Sequence, residues 1–184
     1  MADSIVVAAA QAGDPQRGDP QRGDPPRSDL QRSDLQRSDL QSILAMDPRV
    51  ADTPGRREFL ERAHRAGECI VARRGGEMAG FAVFDRSFFG QPFIELLYVE
   101  PACRRAGVAR AIVRYIESIC PGEKLFTSTN ESNAAMHAFC AALGFARSGR
   151  IDNLDDGDPE IVYFKRVGAA AVRAAVADEM GARR

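Results

Sequence analysis

The chain is expected to fold as an α/β or α+β layered domain, and three features of its sequence lead there. Short β-branched or aromatic runs, among them Phe93–Val99 and Leu125–Thr129, are separated by stretches whose apolar residues recur at helical spacing. The strand-like runs outnumber the helical ones and alternate with them late in the chain, the pattern of a sheet covered by helices. The length of 184 residues, 45% hydrophobic and 28% charged, suits one core with room for an appendage.

The elements follow in order. Ser4–Ala10 is β-branched enough for a first strand, and Asp39 stands where an N-cap would precede Leu40, Ile43 and Leu44 at helical spacing. Pro54–Ala66 reads as a helix with Phe59 and Leu60 inward, ended near Gly67. Glu68–Arg73 is a strand, Gly75 and Gly76 turn the chain, and Ala79–Asp85 returns it. A loop over Ser87–Pro92 leads to the long strand Phe93–Val99, which Pro101 stops. Gly107–Cys120 is helical, with Ala109, Ile112, Val113, Ile116 and Ile119 on one face and Arg110, Arg114 and Glu117 on the other. Then come the strand Leu125–Thr129, a helix Asn133–Leu143 closed by Gly144, and two closing strands near Ala146–Ile151 and Ile161–Arg166. From Gly168 the chain is alanine-rich, which predicts a marginal helix.

Residues 13–42 stand apart: they are six tandem pentads, GDPQR twice, GDPPR, SDLQR twice and SDLQS. Almost nothing in them is apolar beyond the leucines, so burial cannot offset the entropy of ordering them, and they are expected to be mostly flexible. The last three resemble the pentapeptide-repeat pattern, but three fitting pentads cannot stack a coil of that fold. Their place between the first strand and first helix marks them as an expansion inside a connecting loop. The expected organisation is therefore a first strand in 1–12, the pentad insertion in 13–42, the body of the domain in 43–167 and the tail in 168–184.

Charge and cysteine usage exclude several classes. Twenty-five basic residues against twenty-six acidic ones leave a net charge of -1, so neither nucleic acid nor a membrane surface is an expected partner. No stretch has the roughly 18 apolar residues of a membrane span, and no export signal is visible, so a cytoplasmic location is expected. The four cysteines, Cys69, Cys103, Cys120 and Cys140, form no CxxC pair, and with only His64 and His137 they offer no metal-ligand spacing. Both histidines are expected at the surface.

The segment richest in chemistry is Tyr98-Val99-Glu100-Pro101-Ala102-Cys103-Arg104-Arg105-Ala106-Gly107-Val108-Ala109-Arg110. A strand ends, two arginines follow, and glycine and alanine open a helix. Helix N-termini present unpaired N–H groups and the positive end of the dipole, so a phosphate can sit there if no side chain blocks it. It is neither a Walker A loop nor a GxGxxG turn. Taken alone, it could also be a surface loop with two solvated arginines.

Arg104-x-x-Gly107-x-Ala109, preceded by Leu97-Tyr98-Val99 and a proline, resembles the acetyl-CoA signature of the GNAT superfamily of N-acetyltransferases. Downstream, the segment from Asn133 through Leu143-Gly144-Phe145 is similar to the second motif of that family, an asparagine opening a helix that ends in Gly-Phe. The resemblance spans roughly Ser4–Val167. It implies a mixed, mostly antiparallel sheet flanked by helices and splayed between Phe93–Val99 and Leu125–Thr129, with acetyl-CoA as co-substrate in the gap. Backbone N–H groups of Arg104, Arg105, Ala106, Gly107, Val108, Ala109 and Arg110 would hold the pyrophosphate, and Leu97 and Val99 the pantetheine arm and acetyl carbonyl. Asn133 would reach the arm from the other side.

The resemblance also implies direct acetyl transfer to an amine, which leaves two proton steps. Glu95 is a lone carboxylate in the row Phe93, Glu95, Leu97, Val99, and desolvation there would suit a base or a binder of the ammonium. The family's usual tyrosine acid falls at Cys140, which also lies on the apolar stripe Met136, Phe139, Cys140, Leu143, so it is either a substitute acid or a buried structural thiol. Asp152–Glu160 carries five acids and no base, a rim suited to a cationic small-molecule or peptide amine. The expected protein is an acetyl-CoA-dependent N-acetyltransferase, monomeric or homodimeric and without a metal. The alternative is a catalytically weak acetyl-CoA-binding regulatory module.

Overall fold

The computed structural model describes residues 4–10, 39–120 and 124–168. Nearly all of the pentads and the alanine-rich tail lie outside these residues. The strands are β1 (Ile5–Ala9), β2 (Cys69–Arg74), β3 (Glu77–Phe88), β4 (Gln91–Val99), β5 (Lys124–Asn130), β6 (Ala146–Ile151) and β7 (Glu160–Arg166). The helices are α1 (39–46), α2 (Arg49–Asp52), α3 (Arg56–Arg65), α4 (Val108–Ile119) and α5 (Ala134–Ala142). The seven strands form one sheet in the order β1-β2-β3-β4-β5-β7-β6. The sheet is mixed: β4 and β5 run parallel, while β1 and β2, β2 and β3, β5 and β7, and β6 and β7 pair antiparallel. By compactness the chain divides into two units, Met1–Val83 with Leu97–Ile112, and Phe84–Leu96 with Val113–Arg184.

In the first unit Gly75 and Gly76, with φ of 59° and 87°, form the two-residue turn that suits the twist of the β2–β3 hairpin. Ile43, Leu60, Ile70, Phe81, Val108 and Ile112 are buried in its core. Asp39 is not the N-cap of α1. It already lies within the helix, is buried, and accepts from the Arg73 guanidinium of β2, so its carboxylate joins helix to sheet. Helix α2, which the residue pattern did not announce, starts at the rigid Pro48 beside buried Asp47, whose two carboxylate oxygens accept from the Arg49 N–H at 3.0 Å and the Arg56 Nε at 2.8 Å. Helix α3 begins at Arg56 and not at Pro54, because Pro54-Gly55 makes the turn before it, with Gly55 at φ 76°. Leu60 is buried as expected, whereas Phe59 is half-buried between the Arg56 and Arg62 guanidinium groups.

In the second unit, the expected loop over Ser87–Pro92 is a tight turn. Phe89 and Gly90, at φ 52° and 73°, connect strands that are longer than their sequence patterns suggested. Pro92 sits inside β4 and is buried. Phe93 pairs in register with Phe126, and Phe126 with Phe164, so aromatic rings line up across β4, β5 and β7, and Phe88 stacks on Phe93 at 5.2 Å between centroids. The register of β4 with β5 is confined to Phe93–Phe126 and Ile94–Thr127, against seven pairs between β5 and β7. Beyond Ile94 the two strands therefore lack a shared ladder, and the Thr127 hydroxyl donates to the Ile94 carbonyl at 3.0 Å where it ends.

Helix α4 keeps its apolar stripe with three changes: Val108 is buried in it, while Ala109 is half-buried and Ile119 exposed. Glu117 does not face solvent with Arg114. It is half-buried and accepts from Lys165 of β7 at 2.6 Å. The far edge of the sheet is β6, all six of whose residues are exposed, with a bulge between Arg147 and Gly149.

Candidate functional site

The loop after β4 is built to leave N–H groups unused. Pro101–Cys103 makes a single 3-10 turn, Arg105 and Gly107 adopt left-handed conformations at φ 61° and 88°, and the first helical bond runs from the Ala111 N–H to the Gly107 carbonyl. The N–H groups of Val108, Ala109 and Arg110 therefore have no helix carbonyl to donate to and stand at the positive end of a three-turn helix. Arg104, Arg105, Ala106 and Gly107 are exposed. A left-handed residue between ordinary ones turns successive N–H groups toward a common centre, a concavity that fits an anion. A Cβ on Gly107 would lie 4.0 Å from Ile5 Cδ1, so the constraint there is its backbone conformation and not lack of space.

The Arg104 Nε donates to the Val99 carbonyl at 3.3 Å, so the guanidinium is folded back on the strand end, and among the described residues the neighbouring Arg105 side chain has no such bond. Leu97 and Val99 are half-exposed on the end of β4, with the Tyr98 ring against Phe81. One residue with a clear role here went unnoticed in the sequence. Gly80 of β3 lies under the Tyr98 carbonyl, where a Cβ would approach to 2.7 Å, and it would also meet Val108 Cγ1 at 3.1 Å. Only a residue without a side chain lets the end of β4 and the start of α4 settle on β3. A glycine within an otherwise apolar strand pattern was the available signal.

In the second unit, Glu95 is exposed on β4. Asn133 caps α5. Its Oδ1 accepts from the Met136 N–H at 3.1 Å and its Nδ2 donates to Thr129 Oγ1 at 3.0 Å, both directed within the protein. Gly144, at φ 78°, closes the same helix, with the Phe145 N–H donating to the Cys140 carbonyl and the Gly144 N–H to that of Ala141. Cys140 is 1% exposed and burial pushes its thiol up to about 11, the state of an inert packing group.

The acidic connection between β6 and β7 is partly spent on its own shape. Asp152 accepts from Arg150, Asp155 from the Asn130 amide at 2.7 Å, and Asp158 from the Ser132 hydroxyl at 2.6 Å and N–H at 2.9 Å. The two Ser132 bonds hold the Asp158 carboxyl below its ordinary range. Neither histidine is the free surface group expected. His64 is buried with no partner on Nε2, and burial lowers its pKa against the opposing pull of Asp39. His137 is half-buried and bonded through both ring nitrogens, Nδ1 to the Tyr163 hydroxyl at 2.7 Å and Nε2 to the Glu131 carbonyl at 2.9 Å. Among the described residues no group of three or more His, Cys, Asp or Glu could hold a metal, and no helix is long and apolar enough to cross a membrane.

The acetyltransferase (GNAT) family model matches residues 37–145, more than half of the chain. The chain belongs to the GNAT family of acetyltransferases. A GNAT-family acetyltransferase from Bacillus cereus is 37% identical, with a TM-score of 0.66 over 71% of this chain and 92% of that one. The ribosomal-protein-S18-alanine N-acetyltransferase of Escherichia coli, 20% identical, shares the fold at a TM-score of 0.61 over 72% of this chain and 90% of its own. A streptothricin acetyltransferase from Bacillus anthracis, 18% identical, was solved with acetyl coenzyme A and matches at 0.51 over 54% of this chain and 62% of that one. No curated protein matches the chain in sequence.

Proposed function

We propose that this GNAT protein transfers the acetyl group of acetyl-CoA to a primary amine carried by a cationic small molecule or a peptide. The observation that carries the reading is the loop Arg104–Arg110. Its left-handed Arg105 and Gly107 leave the N–H groups at the start of α4 open to a phosphate, with Arg105 adding charge. Bound acetyl-CoA supplies the activated thioester. The protein's own task is to orient it and manage protons.

Leu97 and Val99, half-exposed at the end of β4, offer strand backbone to the pantetheine arm and acetyl carbonyl. Glu95, exposed on the same strand, is the carboxylate we assign to drawing an ammonium. The amine nitrogen loses one proton before it forms the C–N bond. As the C–S bond breaks, its electron pair stays on sulfur, and the second nitrogen proton is passed on to it. With Cys140 buried and its thiol pushed up, that last proton travels by water and not through Cys140. Asn133 acts by capping α5.

Thiol release from acetyl-CoA over a panel of amines, together with calorimetry of acetyl-CoA binding, tests the reading. Turnover with at least one cationic amine is expected. Tight binding without turnover would leave the regulatory binding module, and no binding at all would remove the phosphate-loop assignment.

A further inference from the structure

One face of the sheet in the second unit is lined with phenylalanine. Phe93, Phe126 and Phe164 are Cα partners across β4, β5 and β7, so their rings form one row on one face. Phe88 of β3 joins them, its ring centroid 5.2 Å from that of Phe93 and 5.4 Å from that of Phe126. Helices α4 and α5 serve the other face: Glu117 bonds Lys165, His137 bonds Tyr163, and Asn133 bonds Thr129, three strand positions that alternate with the ring-bearing ones. Phe93 is buried in the middle of the group, while Phe88, Phe126 and Phe164 are half-exposed.

The rows on either side of the rings carry opposite charge. Glu95 stands two residues beyond Phe93 on β4, hence on the same face, and is exposed. In the other direction Lys124 and Arg166, partners in register, stand two residues from Phe126 and Phe164, and both are exposed. Two residues of strand rise about 7 Å, so the carboxylate and the rings lie within reach of one small molecule, with the two cations a further step away. A ligand laid along this face meets an acid, then apolar rings, then positive charge.

We infer that this face receives the body of the acceptor, and that the acceptor is a monocation whose primary ammonium is borne on an aromatic ring system. This rests on the acetyltransfer reading above, in which Glu95 draws the ammonium. The phenylalanine row rewards a ring by stacking and by burial of apolar surface. The hydroxyls of an amino sugar would lose water against the same rings without gaining a hydrogen-bond partner. A polyamine stretched from Glu95 would carry its next charge toward Lys124 and Arg166, where it meets its own sign. The rings and the like charge together choose among cationic amines, a choice that Glu95 alone cannot make.

The chain contains no tryptophan, so the fluorescence of an indole amine reports its own binding without a protein background. Tryptamine titrated with the full chain should show a saturable rise in anisotropy. Phe126→Leu, which keeps an apolar side chain and removes the ring, should weaken that binding roughly 2- to 12-fold. In the thiol-release assay 2-phenylethylamine should exceed both propylamine and spermidine by at least about 10-fold in kcat/KM. Lys124→Glu, at an exposed position, should raise kcat/KM for 1,5-diaminopentane relative to 2-phenylethylamine roughly 2- to 5-fold. Such a ratio between two amines does not depend on how much of a variant is folded. Equal kcat/KM for the aromatic and aliphatic amines, a preference for spermidine, or unchanged tryptamine affinity in Phe126→Leu overturns the inference and leaves acetyl transfer standing. A monomer that binds no tryptamine has the face covered by its own chain, and a dimer that comes apart in Phe126→Leu has it covered by a second copy; either result overturns the inference as well. Thiol release with no amine at all overturns the acetyltransfer reading and this assignment together.

Discussion

Replacing Gly80 by alanine exchanges one hydrogen for a methyl group, yet it should disturb the loop after β4 from the strand beneath it. The new Cβ would stand 2.7 Å from the Tyr98 carbonyl oxygen, 3.1 Å from Val108 Cγ1 and 3.3 Å from Val99 Cα. The first of these neighbours is backbone, which cannot rotate away, so the end of β4 and the first turn of α4 must lift by several tenths of an ångström. Overpacking of this kind costs about 1–3 kcal/mol, and at about 2–4 °C per kcal/mol the melting temperature should fall by roughly 2–12 °C. The same displacement spoils the alignment of the N–H groups over Val108–Arg110. Losing half of one charge-assisted hydrogen bond, about 1.5–3 kcal/mol when whole, weakens acetyl-CoA binding roughly 3- to 12-fold. Calorimetry and thermal unfolding of Gly80→Ala read both quantities. Gly76→Ala is the control. Its φ of 87° strains an alanine, but no atom lies within 4 Å of the new Cβ, so it should lose about 1–2 kcal/mol of stability and no affinity. Equal losses of affinity in the two variants, or none in Gly80→Ala, would refute the link between the strand glycine and the loop.

Three further outcomes follow from particular side chains. Gly107→Glu should abolish measurable acetyl-CoA binding by adding a negative charge to the anion site. It should also cost about 1–2 kcal/mol of stability from the left-handed backbone, so calorimetry has to be paired with a melting curve. Cys140→Ala should lower stability by about 1–2 kcal/mol with kcat following stability, and Cys140→Tyr should be worse for want of room; a large kcat loss at unchanged melting temperature would make Cys140 a proton donor after all. His64 is held neutral in the fold, its pKa lowered from the ordinary 6.5, so its contribution to stability is present above pH 6.5 and is lost as pH falls through that value toward the folded pKa. His64→Gln should flatten the fall of melting temperature between about pH 7 and about pH 5, and an unchanged slope would place the acid sensitivity elsewhere.

Local chemistry made most of the fold legible. Gly75-Gly76 announced its hairpin, Asn133 and Gly144 marked both ends of α5, and β-branched and aromatic runs placed the strands. The shape of the loop after β4 was readable for the same reason: backbone shape is written in a short run of arginine, glycine and alanine. What misled was local chemistry with two solutions. Ser87, Gly90 and Pro92 are loop residues by composition, but only Phe89 and Gly90 turn, and Pro92 is held within a strand. Asp39 before a leucine has the form of a cap, yet a guanidinium on Arg73, 34 residues on, decides where its carboxylate goes. The histidines failed likewise. His137 is defined by Tyr163, 26 residues away, and His64 by burial, and neither partner nor burial leaves a mark beside the residue itself. Gly80 left a trace, a glycine in a strand, without saying what approaches it.

The outer strand β6 bears on how the molecule behaves in a crowded solution. A sheet that ends in an exposed strand invites another chain to continue it, and β6 offers six exposed residues. Its bulge between Arg147 and Gly149 breaks the repeat that an incoming strand would need to match. Arg147 and Arg150, which interrupt the strand with charge, are kept in place by Glu131. Self-association through this edge would have to undo those ion pairs and straighten the bulge at once. Loss of both arginines to valine should leave the sheet intact and the protein prone to fibrous aggregation, a liability separate from anything that happens at the loop after β4.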